Sequence, residues 1–170
     1  MNQAPTSDPL IGSRILIVDD VEDNRLVIDR QLRRNGFETS MCDDGVAALA
    51  EITSNPPDLV LLDWMMPNLS GLETLKAIRE HYDANALPVI MCTARDEESS
   101  IGSAIEAGAN DYVQKPIRMP VLLARISAQL IRKASADALG AVNLDLENTL
   151  AHRTRAFFDR TRRRRDTKPK

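Results

Sequence analysis

The chain has little cysteine, little histidine and no long apolar run. Its two cysteines, Cys42 and Cys92, each lie in or beside a short apolar run and have no partner at metal-ligand spacing, so both read as reduced, semi-buried thiols without chemistry of their own. Of the two histidines, His81 and His152, the latter stands on a helical stretch without a phosphotransfer motif around it and reads as a surface residue. No stretch approaches the ~20 apolar residues of a membrane span. Residues 1–8 lack the basic and apolar regions of a signal peptide, so a cytoplasmic protein is expected. Nowhere is there a helix-turn-helix, a kinase motif or a Gly-Gly-acid-acid-Phe cyclase signature.

The composition, 43% hydrophobic and 28% charged over 170 residues, is that of a globular protein with one domain and a remainder. The net charge of −3 hides an asymmetry, because residues 151–170 carry nine Lys or Arg against two acids. That segment is +7 and residues 1–150 are −10.

Short apolar runs recur at Arg14–Val18, Phe37–Met41, Leu59–Leu62, Val89–Cys92 and Tyr112–Gln114, and read as strands. Between them apolar residues fall at helical spacing. Leu26, Ile28 and Leu32 support a first helix, stopped by Asn35-Gly36; Val46, Leu49 and Ile52 support a second, and Leu72, Leu75 and Ile78 a third, beginning at Ser70-Gly71. A fourth helix, around 97–107, has only Ile101 and Ile105 as large apolar residues; a fifth carries Leu122, Leu123, Ile126 and Leu130. Strands alternating with helices predict an α/β fold, a doubly wound five-stranded parallel sheet with helices on both faces. In such a sheet the ligand site lies beyond the carboxyl ends of the strands.

Those ends hold the chemistry. The first strand ends in Asp19-Asp20, the third in Asp63, the fourth in Thr93, and the fifth in Lys115-Pro116. Like charges at one sheet edge raise the cost of ionising each other unless a cation sits among them, which points to a divalent metal. Carboxylates for a hard cation, beside a hydroxyl and an ammonium, form a site for a phosphoryl group. Taken singly, Asp19 or Asp20 would be a helix N-cap, Asp63 a strand-end acid, Lys115 a solvated charge and Thr93 a turn former. Their joint occurrence decides for a site.

The ordered set Ile15–Asp20, Pro57–Pro67, Leu69–Gly71, Pro88–Ala94, Gly108–Tyr112 and Lys115-Pro116 resembles the receiver domain of bacterial two-component response regulators, over about residues 13–134. The resemblance implies a flavodoxin-like strand order 2-1-3-4-5. Asp63 would be the phosphate acceptor, supplied by a sensor histidine kinase, a phosphotransfer protein or a small phosphodonor. Asp19, Asp20, Asp63 and the backbone carbonyl of Met65 would hold Mg²⁺, and Thr93 and Lys115 the phosphoryl oxygens. Tyr112 would swing inward with Thr93, changing a surface on the fourth helix, fifth strand and fifth helix that a downstream protein target reads. Met65 and Arg95 would flank the path of hydrolytic water. For Lys115-Pro116 the resemblance implies a cis peptide, although sequence alone favours trans by roughly ten to one.

Outside that span, residues 1–12 read as a disordered N-terminal segment. Leu139, Val142, Leu146 and Thr149 keep 3,4,3 spacing, so residues 135–158 read as a helical extension forming a short coiled coil, with a homodimer as its consequence. Residues 159–170 have no large apolar side chain and nine charges, and read as a basic disordered tail. Three function classes follow. The first is a single-domain response regulator, not an enzyme, whose output is protein binding. The second is a receiver that serves a longer output protein such as a diguanylate cyclase, or a nucleic-acid-binding regulator using the basic tail. The third, a phosphatase, would need an Asp-x-Asp nucleophile after the first strand, and none is there.

Overall fold

In the computed structural model, which describes residues 10–94 and 98–166, five strands alternate with five helices. The strands are β1 (Arg14–Val18), β2 (Glu38–Cys42), β3 (Leu59–Asp63), β4 (Val89–Thr93) and β5 (Asp111–Gln114). The helices are α1 (Glu22–Arg34), α2 (Gly45–Ser54), α3 (Gly71–Arg79), α4 (Glu98–Glu106) and α5 (Met119–Asp166). All pairings are parallel, in the order β2-β1-β3-β4-β5, as expected.

The central strands are continuous apolar runs because both of their faces are covered. Successive side chains point to opposite faces. Ile15, Ile17, Leu59, Leu61 and Ile90 meet Ile28 and Leu32 of α1 and Leu122, Ile126 and Leu130 of α5. Leu16, Val18, Val60, Leu62 and Met91 meet Ile52 of α2, Leu75 and Ile78 of α3 and Ala104 of α4. The helical spacing predicts Leu26, Val46 and Ile105 on buried faces, yet they are 41%, 60% and 48% exposed. Ala48 and Ala104 take the sheet-facing positions of α2 and α4, where a small side chain lets the helix backbone come close.

The β1–α1 turn and the β3–α3 connection carry the functional ends. Helix α3 begins with a capping box: Ser70 accepts from the Glu73 N–H and the Glu73 carboxylate accepts from the Ser70 N–H. At the opposite ends of β4 and β5, Arg79 donates to the carbonyls of Gly108, Tyr82 and Leu87 and to Asn110 Oδ1. Asn110 in turn accepts from the Val89 N–H and donates to Ala84 O, so two side chains fix where both strands start. Sequence reasoning assigned neither residue a role.

Two expectations about the termini are corrected. Residues 10–12, read as part of a disordered segment, form a turn: Leu10 is buried against the α1 face of the core, and the Gly12 N–H donates to Gly36 O at 2.8 Å. Helix α5 runs to Asp166, so residues 159–166 have helical backbone where no regular structure was expected. Arg is among the better helix formers, so an Arg-rich run continues a helix already started. Residues 1–9, 95–97 (Arg95 among them) and 167–170 lie outside the described residues. The chain divides into two compact units, Met1–Lys133 and Ala134–Lys170. In the second unit Leu139, Val142, Leu144, Leu146 and Leu150 are all 54–64% exposed.

Candidate functional site

Asp19 and Asp63 end adjacent strands, and both carboxylates are carried into the sheet edge by the apolar residues before them. Their side chains are 3% and 7% exposed, whereas Asp20 is exposed. One carboxylate oxygen from each of Asp19, Asp20 and Asp63 lies within 4.8 Å of the others. Lys115, immediately after β5, reaches across: its Nζ is 2.8 Å from Asp19 Oδ2 and 2.8 Å from Asp63 Oδ1. The Lys115-Pro116 peptide is cis, as the resemblance implies.

Burial pushes the Asp63 carboxyl above the usual carboxylate range; the Lys115 ammonium opposes this and the Asp19 charge adds to it. For Lys115, burial alone would lower the ammonium, but its hydrogen bonds to Asp19 and Asp63 outweigh it and hold the group above its ordinary value. Cys92, fully enclosed behind the site, is pushed up to about 12 by burial and stays a thiol. Cys42, half-buried, is pushed up to about 11 for the same first reason. Cys42 is half-buried, as expected, whereas Cys92 is buried outright.

The β3–α3 connection holds Asp63 from behind. Its Oδ1 accepts from the Trp64 N–H at 2.9 Å, and the Gly71 N–H donates to Trp64 O at 3.0 Å. Only glycine fits at 71: a Cβ there would lie 2.0 Å from the Asp63 carbonyl oxygen. Met65 follows on the loop with its side chain 64% exposed, so what it can offer inward is backbone. Thr93 ends β4, is buried, and its main-chain carbonyl accepts from the Lys115 N–H at 2.8 Å, which sets the base of Lys115 beside it. Tyr112 stands on β5, half-buried against the α2–α4 face of the core, with the Arg125 guanidinium 5.6 Å from its ring centroid. Arg125 also pairs with Asp111. The strand ends thus bring together Asp19, Asp20, Asp63 and Lys115 with Thr93 alongside, and Tyr112 lies two residues before the β5 partner of Thr93, packed against the α2–α4 face of the core.

Sequence reasoning missed two further contacts. Asn24 Nδ2 donates to both oxygens of Asp19, at 3.1 and 3.2 Å, and Arg25 Nη1 donates to the Asp19 carbonyl. Their only sequence signal is a position one helical turn after the acidic pair.

The model of the response regulator receiver domain matches residues 15–127. The chain belongs to the response regulator receiver family. Receiver relatives are numerous. The phosphate regulon transcriptional regulatory protein PhoB of Rhizobium meliloti is 37% identical over 146 residues, covering 82% of this chain and 64% of PhoB. The response regulator MprA of Mycobacterium sp. (strain KMS) is 44% identical over 124 residues, 73% of this chain and 53% of MprA. The chain therefore spans between half and two thirds of the length of these curated relatives. Among solved structures, the Francisella response regulator 1452 receiver domain superimposes with a TM-score of 0.66 at 31% identity, over 71% of this chain and 98% of that one. Phosphorylation and Mg²⁺ binding are general to receivers, and three clustered carboxylates, two of them buried, are the hard oxygen donors that Mg²⁺ takes. The exposed Asp20 leaves the open side that an ion keeping several waters requires.

Proposed function

We propose that this receiver is a phosphorylation switch in which Asp63 takes a phosphoryl group from a sensor histidine kinase or phosphotransfer protein. The observation that carries the reading is the meeting of Asp19, Asp20 and Asp63 within 4.8 Å, with the Lys115 ammonium joined to the two buried members. A carboxylate oxygen of Asp63 attacks phosphorus and forms an acyl phosphate. The P–N bond of a phosphohistidine donor breaks, and its electron pair stays on the imidazole. Asp19, Asp20, Asp63 and the Met65 main-chain carbonyl would hold Mg²⁺, which supplies neutralisation of the charge crowded into the site. Lys115 and Thr93 hold the phosphoryl oxygens. No separate substrate is turned over, and the protein works in the cytoplasm; no helix among the described residues is long and apolar enough to cross a membrane.

The output runs through Thr93 and Tyr112 to the surface of α4, β5 and the first turns of α5. Lys115 and Tyr112 line one cleft of ≈ 450 Å³ together with Arg118, Val121 and Arg125, which supports a link between the acceptor's ion-pair partner and that surface. The acyl phosphate dianion replaces the single charge of the Asp63 carboxylate, and about one added negative charge with strong acceptor oxygens is enough to bias such a two-state arrangement. Incubation with acetyl phosphate and Mg²⁺ followed by intact mass should give a singly phosphorylated chain, which Asp63→Asn or chelation of the metal abolishes. Equal yield from Asp63→Asn would sink the assignment.

The exposed apolar residues of the second unit favour self-association as part of the same switch. Leu139, Val142, Leu146 and Leu150 fall on one helical stripe, the arrangement that buries itself against a second copy in a short coiled coil. Light scattering should report a homodimer at high protein concentration, with an equilibrium that a phosphate mimic shifts; a monomer under both conditions removes this part.

A second reading, a nucleic-acid-binding regulator, rests on the +7 charge of residues 151–170. It predicts nucleic-acid affinity that falls steeply with salt. Absence of salt-dependent binding eliminates it and leaves the protein target as the output.

A further inference from the structure

Helix α1 starts without a side-chain cap. Val21 occupies the N-cap position and offers no oxygen, so the usual exchange between the N-cap and the third helical residue is impossible here. The N-cap N–H and the side chain of the third helical residue turn to Asp19 instead. The Val21 N–H donates to Asp19 Oδ1 at 2.9 Å, and Asn24, the third helical residue, turns its side chain back along the helix to the same carboxylate. Its amide meets Oδ1 at 3.1 Å and Oδ2 at 3.2 Å, while Lys115 holds Oδ2 at 2.8 Å. Arg25, the next residue, anchors the Asp19 main chain through its carbonyl.

The χ2 torsion of an aspartate is broad and two-fold, so a carboxylate at a strand end is not oriented by its backbone alone. A single donor on one oxygen leaves the plane free to rotate about that contact. An NH₂ reaching both oxygens, with a backbone N–H on one and an ammonium on the other, fixes the plane. We propose that Asn24 is a positioning residue for Asp19, holding the carboxylate plane in the orientation in which it ligates the divalent cation. The proposal rests on the reading of Asp19 as a Mg²⁺ ligand. Each donor also withdraws some charge from the carboxylate and so opposes cation binding. Preorganisation outweighs that loss, as for outer partners of metal ligands in general, whose removal costs about 10–100-fold in affinity.

Trp64, the sole tryptophan and the residue after Asp63, reports the test. Mg²⁺ is titrated into the 170-residue chain by Trp64 fluorescence, alongside Asn24→Leu, Asn24→Ala, Asn24→Gln and Asp19→Asn. Leu keeps volume without a donor, Ala removes the side chain and suits a helix, and Gln keeps an amide at a longer reach. The Leu and Ala variants should bind Mg²⁺ about tenfold more weakly, and Gln less so. Their acetyl phosphate reaction should need correspondingly more Mg²⁺ for half-saturation and reach nearly the unmodified rate once saturated, the pattern of lost binding rather than lost chemistry. Leu and Ala variants with unmodified Mg²⁺ affinity overturn the positioning role while leaving the metal site intact. A chain whose Trp64 signal and acetyl phosphate reaction both ignore Mg²⁺, or an Asp19→Asn variant that binds it normally, overturns the ligand assignment and the positioning role with it.

Discussion

Gly71→Ala should destabilise the first unit by about 3 kcal/mol, lower its Tm by roughly 10 °C, and strip Asp63 of its reactivity toward acetyl phosphate. The added Cβ would sit 2.0 Å from the Asp63 carbonyl oxygen and 3.0 Å from the Trp64 Cα, and both obstacles are backbone, which cannot swing aside as a side-chain end can. Relief requires either α3 to move off its capping box or the end of β3 to shift away from β4. The first breaks the Gly71 N–H bond to Trp64 O, and the second moves the acceptor out of reach of Lys115. Thermal denaturation and the mass assay measure the two effects separately. A variant with unchanged Tm and full phosphorylation would show that this approach does not constrain the site.

Lys115→Met should have an effect of similar size with a different dependence on metal. In the metal-free protein the Lys115 ammonium is the counter-charge that Asp19 and Asp63 share, each at 2.8 Å. Removing one partner of a buried ion pair leaves uncompensated charge, and with Lys115 26% exposed the cost falls at about 2–3 kcal/mol. Mg²⁺ supplies the missing charge, so its addition should raise the Tm of Lys115→Met more than that of the unmodified chain. An equal Mg²⁺-induced shift in the two proteins would contradict the shared-counter-charge account.

Much of the fold was legible because the physics was local and repeated. Ile15–Val18, Leu59–Leu62 and Val89–Cys92 are apolar on both faces, which only a sandwiched parallel strand tolerates, and each was placed to within a residue. The acceptor, the two other acids, Thr93 and Lys115 stand at strand ends, where sequence position alone sets spatial position. Helix faces were less legible: Leu26 and Val46 satisfy helical spacing as well as Ile28 and Ile52 do, and only the tertiary contact selects between them. Leu10 could not be read as core, since nothing local distinguishes it from its neighbour Ile11, which stays 61% exposed. Asn24 and Arg79 act through hydrogen bonds to groups brought near only by folding. Asn24 is five residues from the carboxylate it holds, and Arg79 is 29 from the Gly108 carbonyl it binds. At 159–166 charge composition argued for disorder while the helix propensity of arginine argued the other way, and the backbone follows the propensity.

The central claim is that the Asp63 carboxylate, and no other group, carries the phosphoryl bond. An acyl phosphate is reduced by borohydride to the alcohol, whereas free carboxylates and phosphate esters are not, so reduction of the acetyl phosphate-treated chain marks the acceptor permanently. Peptide mass mapping of the reduced protein should find homoserine at position 63 when Mg²⁺ is present and none after chelation. Homoserine at Asp19, Asp20 or any other acid, or an unreduced phosphate on a hydroxyl or imidazole with position 63 unmodified, would contradict the account.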